Sequence, residues 1–421
     1  MKIAIIGSGG REHAFCQKFY ESKKVTKIFC IPGNGGTRKI AENINIDIKN
    51  FKNIKDFLKN EKIDLTVIGP EEPLVNGLVD FLKKYEIKVF GPDKFCSQLE
   101  GSKIFTKKLC SLKKIPTADF KIINNISSAI DYLKQKKYPL VVKADGLAAG
   151  KGVYICENFL SAQNAVKEIF NGKFGKAKEV LIESFLNGEE MSFFILYDNN
   201  SFKIFNTAQD HKRVNEGDKG KNTGGMGAYS PSRLINSALE KKIINRIISP
   251  TLDYLKQKKG DYIGFLYTGL MIVDNEPFLI EYNVRMGDPE CQTILPLLKN
   301  DFAELIESCI YRKLKNVTVE WQNKKSICIV LSSKGYPEKF EKNILIQNLE
   351  KFEMKDDSFI FHAGTKLLNN EFYSTGGRVV NFVSLSESFK SARNKSLDLI
   401  KKLNWENGHY RKDIGYKVID K

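Results

Sequence analysis

Glu281, Asn283 and Arg285 stand at alternate positions in the run Phe278-Leu279-Ile280-Glu281-Tyr282-Asn283-Val284-Arg285-Met286-Gly287-Asp288-Pro289-Glu290. The apolar Phe278, Leu279 and Ile280 predict the end of a buried strand. Residues two apart on an extended chain project from the same face. A carboxylate beside an amide oxygen makes a hard-oxygen corner suited to Mg²⁺, which keeps its other positions for water and phosphate oxygens. Arg285 continues that face with a planar cationic fork able to grip a carboxylate or phosphate. A strand end fraying into solvent has the same composition, so the meaning of the segment depends on what accompanies it.

Three glycine-rich loops accompany it. Gly7-Ser8-Gly9-Gly10-Arg11-Glu12-His13 lies between a predicted strand and a predicted helix, where glycine permits close backbone approach and a helix amino terminus favours an anion. Glu12 occupies the place of the third glycine of a dinucleotide fingerprint. A phosphate monoester held by backbone N–H groups and Arg11 therefore fits better than a nicotinamide cofactor. The second loop, Lys143 to Val153, contains Gly146, Gly150, Lys151 and Gly152 between two predicted strands. Its spacing is not that of a Walker A loop. A strand–glycine loop–strand unit instead forms a flap whose amides close over a triphosphate, with Lys143 reaching phosphate oxygens. Downstream, Glu183-Ser184-Phe185-Leu186 is an apolar strip of the kind that holds a purine edge, and Glu190 is placed to take ribose hydroxyls. The third cluster is Asn222-Thr223-Gly224-Gly225-Met226-Gly227-Ala228-Tyr229, preceded by the polar Gln209-Asp210-His211-Lys212-Arg213. No Gly-x-Ser-x-Gly nucleophile motif is present, and the four histidines are dispersed. The chemistry indicated is phosphoryl transfer by positioning and charge neutralisation.

The elements that must position these residues follow from pattern and length. With 421 residues and 42% apolar content, the chain is expected to form about two to four soluble domains. No apolar run is long enough for a membrane span, and the start of the chain lacks the pattern of a secretory signal. Eight cysteines without a Cys-x-x-Cys pair predict buried, reduced thiols. The cytoplasm is the expected compartment. The net charge of +17 comes from lysines spread along the chain, which argues for attraction of anionic substrates rather than nucleic-acid binding. Residues 1–100 alternate strands (Lys2–Ile6, Val25–Ile31, Leu65–Ile68, Lys88–Phe90) with helices (Glu12–Glu21, Val75–Tyr85), in the manner of a parallel sheet whose ligand lies at the strands' carboxyl ends. From Gly101 to about Arg312 strands are expected in pairs: Leu140–Lys143 with Val153–Cys156, and Val180–Phe185 with Met191–Tyr197. Helices are expected at Ser161–Phe170 and Ala238–Leu255. A last segment runs from strand Ile327–Leu331 to helix Ser386–Leu403.

Taken in order, these segments resemble the glycinamide ribonucleotide synthetase family of the ATP-grasp superfamily. The likeness includes Gly9 to Ala14, Gly69-Pro70-Glu71, Leu99 to Lys103, Lys143 to Val153, Gln209 to Val214, Asn222 to Pro231, Glu281 to Glu290, His362 to Thr365 and Arg411 to Gly415. It implies an α/β chain with a Rossmann-like domain over 1–100, a two-lobed ATP-grasp body over 101–312 and a small α+β cap over 326–421. Within the body, a mobile lid lobe of about 116–197 is implied. It also implies a carboxylate–amine ligase joining glycine to 5-phosphoribosylamine with ATP, through a glycyl phosphate, in purine biosynthesis. On this chain Lys103, Lys143, Gly150, Lys151 and Gly152 are then expected at the ATP phosphates. Glu183, Phe185 and Leu186 are expected at the adenine, Glu190 at the ribose, and Glu281 and Asn283 at Mg²⁺ or Mn²⁺. Gly9, Gly10, Arg11, Glu12, Gly224, Gly225 and Arg285 are expected at the substrates. Arg285, Lys143, Asp210 and Asp288 are the catalytic candidates, the two aspartates also being candidates for glycine. Gly269 departs from the ATP-grasp pattern, standing where many such enzymes carry a further metal-binding carboxylate. The expected partners are small molecules, with no nucleic acid and no membrane, and a monomer is expected. The rivals are another ATP-grasp ligase, a formate-using ribonucleotide enzyme and a nicotinamide-dependent oxidoreductase.

Overall fold

The computed structural model describes residues 1–148 and 152–419. The first hundred residues form a five-stranded parallel sheet. Its order is Glu42–Asn43, Lys27–Pro32, Lys2–Gly7, Leu65–Ile68 and Val89–Phe90. The order reverses between Lys2–Gly7 and Leu65–Ile68, which creates a crevice beyond the carboxyl ends of those two strands. Gly7 and Gly69 end them, and the Glu12 side chain fills the gap. A Cβ on Gly69 would lie 2.0 Å from Glu12 Oε1. The expected helix over Val75–Tyr85 is two short ones, Glu71–Asn76 and Leu78–Lys83, because Gly77 turns the chain at φ +90°.

Two antiparallel sheets follow. One contains Phe120–Ile123, Val180–Ser184, Leu140–Ala144 and Val153–Cys156. Helices Ile126–Lys134 and Phe159–Phe170 cover it and close a separate apolar core around Leu133, Val142, Val166 and Ile182. The other sheet is Phe202–Ile204, Glu189–Tyr197, Gly264–Val273 and Glu276–Asn283. Leu140–Ala144 pairs with Val153–Cys156 as expected. Val180–Ser184 and Glu189–Tyr197 do not pair, which corrects the expectation of a second hairpin. They are adjacent in sequence, but Val180–Ser184 pairs with Phe120–Ile123 and Leu140–Ala144, and Glu189–Tyr197 with Phe202–Ile204 and Gly264–Val273. The crossing is tight: a Cβ on Gly188 would lie 2.3 Å from the Ile272 carbonyl oxygen.

The last sheet draws on distant parts of the chain, in the order Gln209–Asp210, Gly227–Ser230, Lys325–Ser333, Arg378–Ser386 and Ser358–His362. Helix Phe389–Leu403 packs on it. The third glycine cluster thus enters a sheet whose central strands are about 100 residues further on. All eight cysteines are free and buried, and burial pushes the Cys110 thiol up to about 12 and that of Cys156 to about 11. Among the described residues no helix is long and apolar enough to cross a membrane.

Candidate active site

Loops and strand ends from these sheets surround one cavity of about 980 Å³. Its floor is the strand Glu276–Asn283. Pairing with Gly264–Val273 slips there: Leu279 faces Leu270 and Glu281 faces Gly269, leaving Ile280 as a bulge. A bulge shifts the alternation of side chains by one. Leu279 and Tyr282 are consequently both buried, while Glu281 and Asn283 line the cavity. Gly269 leaves space for the carboxylate, since a Cβ there would sit 3.2 Å from Glu281 Cγ.

The Glu281 carboxylate has no hydrogen-bond or ion-pair partner among the described residues. Burial disfavours its charge, but Lys212, Lys143, Lys103 and Arg285 outweigh burial and hold its pKa below the usual value. Asn283 Oδ1 accepts one hydrogen bond, from Arg285 Nη2 at 3.2 Å, and retains a lone pair. An ionised carboxylate with unspent lone pairs beside a half-used amide oxygen fits a hard divalent cation.

Arg285 is more constrained than its sequence suggested. Nη2 donates to Glu100 Oε1 at 2.7 Å, Nη1 donates to the Met286 carbonyl at 3.1 Å, and Nε lies 3.3 Å from Glu71 Oε2. Glu100 Oε2 accepts the Val284 N–H at 2.8 Å. Burial raises the Glu100 pKa to about 7 against the pull of Arg285. The guanidinium is fixed in place, with its charge shared between two carboxylates.

On the opposite wall Lys143, next to last in its strand, has Nζ 2.9 Å from Glu183 Oε2, while Lys107 approaches Oε1 at 3.3 Å. The Glu183 carboxylate is thus enclosed by lysines, and Phe185 and Leu186 give this wall its apolar lining. Lys103 Nζ donates to the Gly146 carbonyl at 2.9 Å, and Asp145 Oδ1 accepts the Ile104 N–H at 3.1 Å. These two contacts tie the glycine flap to the start of helix Lys103–Lys113. Gly152 lines the cavity, whereas Gly150 and Lys151 lie outside the described residues. Glu190 Oε2 accepts from Lys212 Nζ at 2.6 Å. Asp210, nearby on its short strand, has its pKa raised to about 7 by burial, with Lys212 opposing.

The first glycine loop reaches the cavity but offers different groups from those expected. Gly9 N–H donates to Glu12 Oε2 at 2.5 Å, Arg11 N–H donates to Asp288 Oδ2 at 3.3 Å, and Arg11 Nε donates to Glu12 Oε1 at 2.6 Å. The Gly9 and Arg11 amides, expected to cradle a phosphate, are engaged by the Glu12 and Asp288 carboxylates in this structure. Both carboxylates keep lone pairs that can accept from hydroxyl groups. Gly10 and Gly225 do not line the cavity. Gly10 packs against the Gln292 and Asn381 amides, and Gly225, at φ +111°, packs against Pro289. Gly224 does reach it, held by Arg378, whose Nη1 donates to the Gly224 carbonyl at 2.6 Å and the Asp288 carbonyl at 2.5 Å. Asp288 Oδ1 also lies 3.2 Å from Arg378 and accepts from Gln292 at 2.8 Å.

Family models match the chain in three consecutive pieces. They are the phosphoribosylglycinamide synthetase N domain over residues 1–100, its ATP-grasp (A) domain over 101–291 and its C domain over 326–417. A phosphoribosylamine--glycine ligase of Caldanaerobacter subterraneus subsp. tengcongensis is 41% identical over 416 residues, covering 98% of this chain and 99% of the relative. The chain belongs to the phosphoribosylglycinamide synthetase family. A second relative, a phosphoribosylamine--glycine ligase of Haemophilus influenzae, is 42% identical over 426 residues, covering 100% of this chain and 99% of its own. The crystal structure of phosphoribosylamine--glycine ligase from Thermotoga maritima superposes with a TM-score of 0.86 at 33% identity, over 99% of this chain and 100% of that one. The structure of biotin carboxylase from Campylobacter jejuni in a β,γ-ATP complex shares the fold at a TM-score of 0.75 and 15% identity, over 100% of this chain and 95% of that one.

Within this family member, sequence reasoning passed over Glu71, Glu100, Lys107, Lys212 and Arg378. Glu71 and Glu100 sit inside segments that carried the family likeness, yet no local spacing links them to Arg285. Lys107 looks like a surface lysine until its burial is known, and half-buried Lys212 until Glu190 is found beside it. Arg378 follows Gly376-Gly377, a weak sign of close backbone packing, but its partners are more than 80 residues away.

Proposed function

We propose that this family member ligates glycine to 5-phosphoribosylamine at the expense of ATP, giving glycinamide ribonucleotide, ADP and phosphate through a glycyl phosphate. The observation that carries this reading is the convergence on one cavity of three chemistries. These are a cationic wall with a glycine flap, a metal corner, and a carboxylate-rimmed crevice at the switch point of the parallel sheet.

In this reading Lys103 and Lys143 neutralise polyphosphate oxygens, and the flap at Gly152 closes over them. Phe185 and Leu186 pack on the adenine, and Glu190, steadied by Lys212, takes the ribose hydroxyls. Glu281 and Asn283 would hold Mg²⁺ or Mn²⁺, which would supply charge neutralisation to the phosphates. Glycine lies beyond that corner, its carboxylate in line with the terminal phosphate. Asp210 or Asp288 faces its ammonium group. Glu12 and the Gly9 loop accept the hydroxyls of phosphoribosylamine, with Arg11 and Gly224 bordering the sugar. Arg285, fixed by Glu71 and Glu100, presents positive charge where an acyl phosphate and then a tetrahedral species develop. A preset guanidinium needs no reorganisation during the reaction.

The chain divides in this reading at 1–100, 101–312 and 326–421. The lid that keeps water from the acyl phosphate is narrower than the expected 116–197, about 120–186, because Thr117 bonds to the Leu279 carbonyl and Glu189–Tyr197 pairs with Gly264–Val273, both in the body. The separate apolar core of that lobe supports its motion as a unit. A soluble cytoplasmic monomer acting on small molecules is the corresponding setting.

The test is ADP release with each substrate omitted in turn. Full release is expected only with ATP, a divalent metal, glycine and phosphoribosylamine together. Equal release with formate in place of glycine would overturn the reading.

A further inference from the structure

Lys107 borders the cavity, and none of the roles assigned above uses it. Its side chain is 3% exposed, and it belongs to helix Lys103–Lys113 in the body rather than to the lid sheet. Nζ donates to Thr117 Oγ1 at 2.5 Å, and Thr117 Oγ1 donates in turn to the Leu279 carbonyl at 2.6 Å. Leu279 lies two residues before Glu281 on the same strand. On its other side Lys107 Nζ stands 3.3 Å from Glu183 Oε1, an oxygen with no hydrogen-bond partner, while Lys143 Nζ stands 2.9 Å from Glu183 Oε2. A line of polar contacts therefore runs from the metal strand to the lid lysine, through one buried carboxylate flanked by two buried ammonium groups.

The charge count gives this arrangement its meaning. Two cations and one anion in a poorly solvated site carry a net positive charge, which an anionic ligand completes. Without Lys107, Glu183 and Lys143 would form a neutral, closed pair, held more tightly because the surroundings screen little.

We infer that Lys107 is a positioning residue that offsets the charge of Glu183, leaving Lys143 available to polyphosphate instead of locked to its neighbour. The inference rests on the reading of Lys143 as an ATP ligand. Thr117 fixes Lys107 in this role by accepting its hydrogen bond and tying it to the Leu279 carbonyl of the body, so the lid lysine is held ready from outside the lid.

The experiment is steady-state kinetics of the full chain, with ATP and glycine varied separately, for wild type and four variants. They are Lys143→Met, Lys107→Met, Lys107→Arg and the double variant Lys107→Met/Glu183→Gln. Lys107→Met is expected to raise KM for ATP about tenfold, the loss of roughly one charge-assisted bond, while KM for glycine stays within about twofold. Lys107→Arg should keep KM for ATP within about threefold of wild type, because the charge is conserved. The double variant should recover most of the lost ATP affinity, since the carboxylate that captures Lys143 is gone. If Lys107→Met does not fold, the double variant, which leaves no unpaired buried anion, decides the matter alone. A KM for ATP within about threefold of wild type supports the inference, and one raised further overturns it. Two other results also overturn it: a double variant no better than Lys107→Met, or an unchanged Lys107→Met beside an impaired Lys143→Met. An unimpaired Lys143→Met removes the ATP-site reading as well, so the two failures are told apart.

Discussion

At the scale of single residues, the site is a set of charges held by other charges. Glu281 is the exception, because lysines and Arg285 surround it without a direct bond. Replacing it by Gln keeps shape and burial but removes the ionised oxygen. Glu281→Gln is expected to lower kcat by more than about 100-fold, beyond what disturbing a metal ligand's neighbours costs. Its melting temperature should move by no more than a few degrees. Turnover close to wild type would take Glu281 out of the mechanism. Arg285 shows the opposite design. Every nitrogen has a protein oxygen within 3.3 Å, so its role is to present a fixed field rather than to move toward a ligand.

At the scale of elements, two features set the site. The first is the crevice between Gly7 and Gly69. The Glu12 side chain occupies it so fully that Gly69→Ala is expected to destabilise the protein by about 1–3 kcal/mol, the usual cost of forcing a methyl into packed space. Equilibrium denaturation measures this, and an unchanged midpoint would mean that Glu12 swings aside freely. The second is the docking of the flap. Asp145 accepts the Ile104 amide and the Ser102 hydroxyl, thereby capping helix Lys103–Lys113 from the lid side. Asp145→Ala removes a cap of about 1 kcal/mol, so hydrogen exchange at the Ile104 amide should quicken about fivefold. Equal exchange rates would show that other contacts hold the flap. Much of this level could be read from the chain: the strand Leu65–Ile68 and the hairpin of Leu140–Ala144 with Val153–Cys156 follow from pattern alone. The bulge at Ile280 and the parting of Val180–Ser184 from Glu189–Tyr197 do not, because local patterns carry no information about which distant strand competes for pairing.

At the scale of the whole molecule, the carboxy-terminal sheet is joined to the amino-terminal loop through buried polar groups. His13 Nδ1 accepts the His362 N–H at 2.8 Å, and Asn34 Nδ2 donates to the carbonyls of both Ser8 and His362. Burial, aided by Lys39, lowers the His13 pKa to about 3. The unfolded chain takes up a proton at this residue as pH falls through about 6.5, whereas the folded chain resists until about 3. The stability that neutral His13 contributes is therefore complete above 6.5 and lost progressively below it. Thermal melts of wild type and His13→Gln should show the difference between them shifting in favour of the variant as pH is lowered from 6.5 toward 4. A difference independent of pH would place the proton elsewhere.

The order of chemical motifs, the parallel arrangement of the first hundred residues, the buried thiols and the pairing of Glu281 with Asn283 on one face were all contained in residue type and spacing. They are local properties, set by backbone geometry and by the sorting of apolar from polar side chains. Tertiary structure alone decided that the first loop spends its amides on Glu12 and Asp288. It also decided that Arg285 is pinned by Glu71 and Glu100, and that Arg378 and Lys107 reach the site from elements that look like ordinary scaffold. Each of those outcomes depends on charges brought together from far apart in the chain and removed from water, where a partner's identity, and not a residue's own neighbours, determines what it can do.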